Sequence, residues 1–254
     1  MTTSRTPGRA FLSGLYFIYQ WLVYIPLVAL ATLVGGIAAI IVALLISPRA
    51  ANLGVGVMWG RVLAWLAPVR VDMEGLENID PDKSYVVVAN HQSQFDIPVV
   101  YGWIGLDLRW MAKAELGKIP FLGTGSRAVG HVFIDRSDPE QARAAIGRAV
   151  KKLGPGSGLL FFAEGTRSRS GKLLPFKKGA FRIAVDQQLP VLPVTLVNAR
   201  DILPAGSLRI RPGRVRVVVH PPLPTEGLER GQSGALRQQC RDVIAGALPP
   251  ELQS

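Results

Sequence analysis

Cysteine is nearly absent from this chain, since only Cys240 among its 254 residues carries a thiol. A single cysteine excludes an internal disulfide framework and any metal site built from several thiolates, such as a zinc ribbon or an iron–sulfur centre. Charged residues are also scarce, at 19% of the chain, compared with roughly 25% in average soluble domains. Because 48% of the residues are hydrophobic, the composition also excludes an intrinsically disordered chain.

Acidic residues are few: 18 Asp and Glu stand against 29 Lys and Arg, which gives a formal net charge of +11. A basic and otherwise polar chain would suggest nucleic acid as its partner. Here the positive charge accompanies a long apolar run, a combination typical of proteins that bind an anionic membrane surface. The basic residues also follow predicted strands rather than forming a stripe with aromatic residues, so the sequence favours a membrane and no nucleic acid.

The apolar run lies between Arg9 and Arg49, where there is no Asp, Glu, Lys or Arg. It is too long for the core of a signal peptide. A helix over 15–46 would be ~48 Å long, against ~30 Å of bilayer hydrocarbon. A second segment of low charge, Ala50–Ala67, follows at once. We interpret 1–67 as two apolar helices that enter one leaflet and return.

Two positions predict bends in the first of these helices, namely Pro26 and the pair Gly35–Gly36. A single tilted transmembrane anchor is the alternative, and the sequence leaves the two arrangements about equally open. Under the positive-inside rule, basic residues on both flanks favour a cytoplasmic location for both ends of the apolar region. These flanking residues are Arg5, Arg9, Arg49, Arg61 and Arg70.

Beyond Pro68 the composition changes, and short β-branched runs alternate with segments that carry helix signals. Such alternation is typical of an α/β sheet covered by helices. We therefore expect an α/β domain over 68–254 with a mixed, largely parallel sheet. The runs predict seven strands: Val69–Val71, Tyr85–Ala89, Leu108–Met111, His131–Ile134, Leu159–Phe162, Val191–Val197 and Val215–Val219.

The clearest helix signal is the capping box Ser137-Asp138-Pro139-Glu140, with proline early in the first turn. The helix that it predicts reaches Lys151–Lys152 and stops at Gly154. Two further helices are expected, over about 178–187 and about 233–247.

A histidine and an aspartate follow the second predicted strand, in Asn90-His91-Gln92-Ser93-Gln94-Phe95-Asp96. Residues five apart point ~140° away from each other on a regular helix. His91 and Asp96 therefore meet only across a turn, which a strand-to-helix junction supplies. A carboxylate that holds one imidazole nitrogen makes the other a general base for a hydroxyl. Taken alone, this spacing is as well explained by a loop histidine that caps a helix.

Cationic groups follow other predicted strands. The strand at Phe161–Phe162 leads into Glu164-Gly165-Thr166-Arg167, in which glycine allows close approach of the backbone to a ligand and arginine offers paired donors for a phosphate. Arg136 follows the strand ending at Ile134, a normal place for an anion ligand. Lys172, Lys177 and Lys178 add positive charge. A serine acyl-enzyme is disfavoured because the chain has no G-x-S-x-G motif.

Five pieces occur in one order within 85–198: N-H-Q-S-Q-F-D, K-A-E-L-G-K-I-P-F-L-G, H-V-F-I-D-R, F-A-E-G-T-R-S-R-S-G and V-L-P-V. Together they resemble the lysophosphatidate acyltransferase family of glycerophospholipid synthesis, and the joint pattern is far more specific than any piece alone. The chain departs from the family at Ala163, where proline usually precedes the glutamate. The resemblance implies the α/β fold of glycerolipid acyltransferases.

The resemblance also implies residue roles. His91 matches the family's catalytic base, and Asp96 matches the residue that orients it. The implied phosphate-binding set is Lys113, Arg136, Glu164, Gly165, Thr166 and Arg167.

The reaction implied is that of a 1-acylglycerol-3-phosphate O-acyltransferase, which acylates the free sn-2 hydroxyl of lysophosphatidate to phosphatidate. The donor is acyl-CoA or acyl carrier protein, whose thioester is a co-substrate, and no cofactor or metal is expected. Bacterial members are held on the membrane by apolar N-terminal helices, so we expect the inner (cytoplasmic) membrane with the catalytic domain on its cytoplasmic face. Acylation of another lysolipid, such as lyso-ornithine lipid, is the alternative.

Overall fold

The computed structural model describes residues 14–135 and 138–253 of the chain. Two long helical segments come first, and a seven-stranded sheet with its covering helices follows. The helices are α1 (Gly14–Leu45), α2 (48–66), α3 (Asp96–Trp103), α4 (Leu122–Ala128), α5 (Pro139–Val150), α6 (Gly179–Asp186), α7 (Ala199–Ile202) and α8 (Ser233–Gly246). The strands are β1 (Val69–Glu74), β2 (Tyr85–Ala89), β3 (Asp107–Lys113), β4 (Val132–Ile134), β5 (Ser157–Phe162), β6 (Val191–Val197) and β7 (Gly213–Val219).

The sheet has the order β1-β7-β6-β2-β5-β3-β4, and only the β6–β7 pair is antiparallel. This confirms the predicted mixed, largely parallel α/β sheet. Strand β2 lies at the centre, between β5 and β6, and every residue of β2 is buried. In such a sheet ligands bind at the carboxyl ends of the parallel strands, close to where the strand order reverses.

Residues of β2 alternate between two buried clusters on opposite faces of the sheet. Tyr85 and Val87 pack in the cluster that also includes residues of α3 and, from α1, Tyr24. Val86 and Val88 pack in the cluster formed with α6 and α8. Helices α1 and α2 thus cover one face of the sheet, and α6 and α8 cover the other.

Helix α5 begins one residue later than the predicted capping box. Its N-cap is Asp138, whose carboxylate accepts the N–H groups of Glu140 (3.1 Å) and Gln141 (2.9 Å). Aspartate accepts these N–H groups as well as serine does and complements the helix dipole, which explains the shift. Ser137 lies outside the described residues.

Neither position at which a bend was expected ends α1. Pro26 follows a π-helical turn at Gln20–Tyr24, where the hydrogen-bond register changes, and so the helix accommodates its missing N–H. Gly36 instead permits close packing, since a Cβ there would lie 2.6 Å from the carbonyl oxygen of Phe121. Gly125 of α4 faces Gly36, since a Cβ on Gly125 would lie 2.9 Å from the Cα of Gly36.

One face of α1 packs against the rest of the protein along its length. Near its start the Tyr19 hydroxyl donates to the carbonyl of Leu66 (2.8 Å), and near its end Ala39 lies in one buried cluster with Val129. The opposite face exposes apolar side chains, namely Leu15, Phe17, Ile18, Trp21, Leu22, Leu27, Leu30, Val34, Ile37, Ile41, Leu44 and Leu45.

Within the described residues α1 is the one helix long and apolar enough to cross a membrane, with 32 residues and a mean hydropathy of 2.7 over its most apolar window. One face of this helix is thus packed on the α/β unit, and the other is apolar and exposed. The choice between two helices in one leaflet and one tilted span stays a prediction.

Candidate active site

The turn between β2 and α3 brings His91 and Asp96 together. Imidazole Nδ1 of His91 lies 2.7 Å from Oδ2 of Asp96, which is fully buried at the start of α3. The same carboxylate oxygen accepts the N–H groups of Gln92 (2.7 Å) and Ser93 (2.8 Å). Because the N–H at Nδ1 of His91 donates to the carboxylate, Nε2 is left as the proton-accepting nitrogen.

The imidazole is also fixed by its neighbours. The Phe162 ring at the end of β5 stacks on it, with centroids 4.1 Å apart and planes 20° from parallel. The loop beneath is joined to β6 by Asn90, whose amide donates to the carbonyl of Leu196 (2.9 Å) and accepts its N–H (2.8 Å). The side chain of His91 remains 15% exposed, so it is held rigidly and is still reachable from the cleft.

Glu164 holds the backbone of this turn. One carboxylate oxygen accepts the N–H of His91 (2.6 Å), and the other accepts the N–H of Leu174 (2.9 Å). Glu164 is only 3% exposed, and this burial raises the pKa of its carboxyl to about 7 against the effect of both N–H donors. Although the resemblance places Glu164 in the phosphate-binding set, its carboxylate contacts the backbone N–H groups of His91 and Leu174.

A cleft of about 600 Å³ opens beside His91 at the carboxyl ends of the strands. Among the predicted site residues, those that line it besides His91 are Lys113, Gly165, Thr166 and Arg167. Arg167 is partly buried and forms no ion pair with any described residue, while Nζ of Lys113 lies 2.8 Å from the Glu115 carboxylate with both side chains exposed. Arg136, the remaining predicted phosphate ligand, lies outside the described residues.

One cation in the cleft was not among the predicted site residues. Gly165 adopts a left-handed backbone (φ 72°), and a Cβ there would lie 2.8 Å from Nζ of Lys177. The N–H of Lys177 donates to the carbonyl of Ala163 (2.8 Å), which joins the two loops. The sequence feature that could have indicated this position is the apolar Phe176. Its side chain is buried, and Lys177, which follows it, lines the cleft.

The cleft has an apolar neighbour on the side of α1. Ile97 and Trp110 line both the cleft and a second pocket between α1, α2 and α4, which is lined mainly by apolar residues. Polar His131 is half-buried in that wall, where loss of solvation lowers its pKa to about 3, so the imidazole is neutral at ordinary pH. Its Nδ1 accepts the N–H of Trp110 (3.3 Å), which gives it a structural role.

Two other chemically active side chains lie away from the cleft. His220 Nε2 lies 2.8 Å from the hydroxyl of Thr195, and Cys240 is buried in the core, where burial raises the pKa of its thiol. Within the described residues, no cluster of three or more His, Cys, Asp or Glu side chains could hold a metal ion. The described chemical groups of the cleft are therefore one histidine–carboxylate pair, hydroxyls and cations.

A central parallel sheet with this pair and these cations at its strand ends is the arrangement of an α/β acyltransferase. The family described as Acyltransferase matches residues 70–197, about half of the chain. The chain resembles the 1-acyl-sn-glycerophosphate (LPA) acyltransferase PlsC from Thermotoga maritima, with 31% identity, a TM-score of 0.73 and 93% of each chain covered. The chain therefore belongs to the 1-acyl-sn-glycerol-3-phosphate acyltransferase family.

Relatives from eukaryotes carry the same name. A 1-acyl-sn-glycerol-3-phosphate acyltransferase from Chlamydomonas reinhardtii is 36% identical over 185 residues, which cover 72% of this chain and 54% of the relative. A chloroplastic one from Brassica napus is 38% identical, with 61% of this chain and 45% of the relative covered. The chain thus spans about half the length of these two curated relatives.

Proposed function

We propose that this protein transfers a fatty acyl group from a thioester to the free sn-2 hydroxyl of lysophosphatidate and forms phosphatidate for phospholipid synthesis. The observation that carries the proposal is the His91–Asp96 pair, 2.7 Å apart, at a cleft that Lys113 and Arg167 also line. The names of the relatives and of the Thermotoga maritima structure support the same acceptor.

In the proposed mechanism the cations hold the phosphate and so place the acceptor hydroxyl at Nε2 of His91. The imidazole takes the hydroxyl proton while the oxygen attacks the thioester carbonyl, and Asp96 stabilises the imidazolium that forms. Collapse of the tetrahedral intermediate breaks the carbon–sulfur bond, and the departing thiolate takes the proton from His91. The transfer is direct, without a covalent acyl-enzyme or a resident cofactor.

The developing oxyanion needs a donor, and most backbone N–H groups that follow His91 are already engaged. Those of Gln92 and Ser93 donate to Asp96, and that of Phe95 donates to the Ser93 hydroxyl (3.0 Å). The N–H of Gln94, whose residue lines the cleft, is engaged as well: proline has no N–H, so the antiparallel bridge between Ser93 and Pro204 pairs the Gln94 N–H with the preceding carbonyl of Leu203. We therefore expect the oxyanion donor to be another group that lines the cleft.

The donor in this proposal is acyl-CoA or acylated acyl carrier protein. The net charge of +11 suits an acidic carrier protein, because complementary charge steers encounter. The apolar pocket beyond Ile97 and Trp110 offers room for an acyl chain.

We place the protein on a membrane, with the exposed apolar face of α1 in the lipid and the catalytic unit on the cytoplasmic face of a bacterial inner membrane. Flotation with phosphatidylglycerol-containing liposomes tests the contact. Leu22→Lys with Leu30→Lys should reduce the bound fraction, because both side chains are exposed on α1. Unchanged binding would place the lipid contact elsewhere.

The experiment that decides the acceptor is a panel of lysolipids given to the purified full-length protein in liposomes with labelled acyl-CoA or acyl carrier protein. The proposal expects phosphatidate from lysophosphatidate and its loss in His91→Ala. Faster acylation of lyso-ornithine lipid or another lysophospholipid would replace the acceptor. No acylated lipid from any acceptor would remove the proposed function.

A further inference from the structure

A third cavity, of about 800 Å³, continues from the cleft on the face of the sheet opposite to α1. Ile146, Gly179 and Ile183 line both spaces, so the two are adjacent. The walls of the third cavity are α5, α6 and the residues that lead into α8. The cleft thus has an apolar extension toward α1 and a second, more polar extension toward the other side of the molecule.

The charge of this third cavity is mainly positive. Lys178 and Arg182 line it one helical turn apart, both are exposed, and neither forms an ion pair with a described residue. The carboxylate there, Asp186, is already bound by Arg230 at 2.6 Å. Two cations are therefore left to face a ligand.

The cavity is also open where side chains could fill it. Gly147, Gly179, Gly231 and Gly234 all line it, and a Cβ at any of them would meet nothing within 4 Å. The space between the helices is thus wide enough for a flexible chain to pass from the surface to the cleft.

We propose that this cavity, called here the carrier groove and lined by α5, α6 and the start of α8, binds the phosphopantetheine arm of the acyl donor with its phosphate on Lys178 and Arg182. The assignment rests on the proposed function. An acyl thioester joins an apolar chain to a polar, anionic carrier. The extension toward α1 is apolar and would suit the chain, and the carrier groove is polar and positive and would suit the carrier. The arm is shared by coenzyme A and acyl carrier protein.

Charge reversal tests the phosphate contact in the full-length protein. Lys178→Glu with Arg182→Glu should raise KM for the donor about tenfold or more, because charge-assisted hydrogen bonds are lost, while kcat and KM for the lysolipid stay near wild type. The matched control is Lys152→Glu, an exposed cation beyond α5 that does not line the groove. An effect with acyl-CoA but not with acyl carrier protein, or the reverse, identifies the source of the arm.

A donor without phosphate separates contact from structure. The acyl thioester of N-acetylcysteamine has the reactive thioester but no phosphate, so its KM should be the same for wild type and the double variant. An equal rise of KM for this donor would show a general distortion of the cleft and would overturn the assignment, as would an unchanged KM for both phosphate-bearing donors.

Filling the groove tests its shape independently of charge. Gly147→Leu adds a side chain to an open position in α5 and should raise KM for both phosphate-bearing donors without lowering Tm. Gly246→Leu is the control, since Gly246 is equally open but lies outside the groove. Equal KM for the two variants would contradict the proposal.

Binding of an alkyl-CoA thioether, which cannot transfer its chain, is measured by calorimetry on wild type and the charge-reversed variant. Weaker binding by the variant supports the groove even if no acceptor is acylated, and equal binding overturns it. A wild type that acylates no lysolipid counts against the proposed function alone. If the wild type does acylate a lysolipid, but the charge-reversed and Gly147→Leu variants have unchanged KM for the donor, the result counts against the groove alone.

Discussion

Two sets of residues at the cleft, called here its two walls, are held differently. On one wall His91 is fixed by a 2.7 Å contact to Asp96, a stacked Phe162 and a backbone N–H bound by Glu164. On the other wall Arg167 has no ion pair with any described residue, and Lys113 pairs with the exposed Glu115. The base is held by short-range geometry, whereas the cations keep freedom to adjust.

This difference matches two physical needs. Proton transfer requires donor and acceptor within hydrogen-bond distance, so the position of an imidazole must be fixed to a fraction of an ångström. A phosphate can be attracted over a longer distance and by several cations at once, so no single cation needs a fixed place. Substitutions on the first wall should therefore change kcat, and those on the second wall should change KM.

The largest expected effect is on the rigid wall. His91→Ala should lower kcat by at least 10²- to 10⁴-fold, because it removes the general base. KM for the lysolipid should change little, since the cations remain. Steady-state acyl transfer to lysophosphatidate measures both constants, and near-normal kcat would exclude His91 as the base.

Asp96→Asn should lower kcat by a smaller amount, on the order of 10²-fold, because the imidazole remains but loses the charge that stabilises its protonated form. The side chain also receives two backbone N–H groups, so circular dichroism must first show that the variant is folded. A folded variant with full activity would leave Asp96 with a structural role only.

On the adaptable wall, Arg167→Ala should raise KM for lysophosphatidate about 10- to 100-fold through the loss of charged hydrogen bonds. Lys113→Ala should have a smaller effect, because Glu115 already neutralises part of its charge. The control is Arg169→Ala, an exposed arginine that does not line the cleft. A fall in kcat at unchanged KM would break the proposed division between the two walls.

The smallest effect concerns stability and pH. The pKa of Glu164 is about 7 in the folded protein against an ordinary value of 4.5. A carboxyl with a raised folded pKa stabilises the fold fully below its unfolded pKa, and this contribution is lost as pH rises through the folded pKa. Between about pH 5 and about pH 8 the Tm of wild type should therefore fall by a few degrees relative to Glu164→Gln. Parallel Tm curves would show that Glu164 does not titrate in this window.

Sequence patterns predicted the sheet well because strand signals are local. All seven expected runs fall on strands, and the closeness of His91 and Asp96 followed from the strand-to-helix junction between them. The packing role of Gly36 was not predictable for the opposite reason: its partners, Phe121 and Gly125, come from a distant part of the chain. Nothing near Gly36 in the sequence indicates them.

The same limit applies inside the site. The motif that contains Glu164 suggested a ligand-binding role, but the backbone N–H groups that occupy its carboxylate come from residues 91 and 174. Lys177 was recognised only as positive charge, since its path over Gly165 depends on how two loops pair. Residue types were readable from the sequence, and the directions of their side chains were not.

The packed face of α1 has a consequence for biosynthesis. Gln20 in this helix bonds the backbone of Leu208 and Ile210, which lie 188 and 190 positions later in the chain. The helix leaves the ribosome well before these partners are synthesised. During that interval its apolar surface has no protein to cover it, so a nascent chain that reaches lipid early keeps this segment from aggregating while the catalytic unit forms.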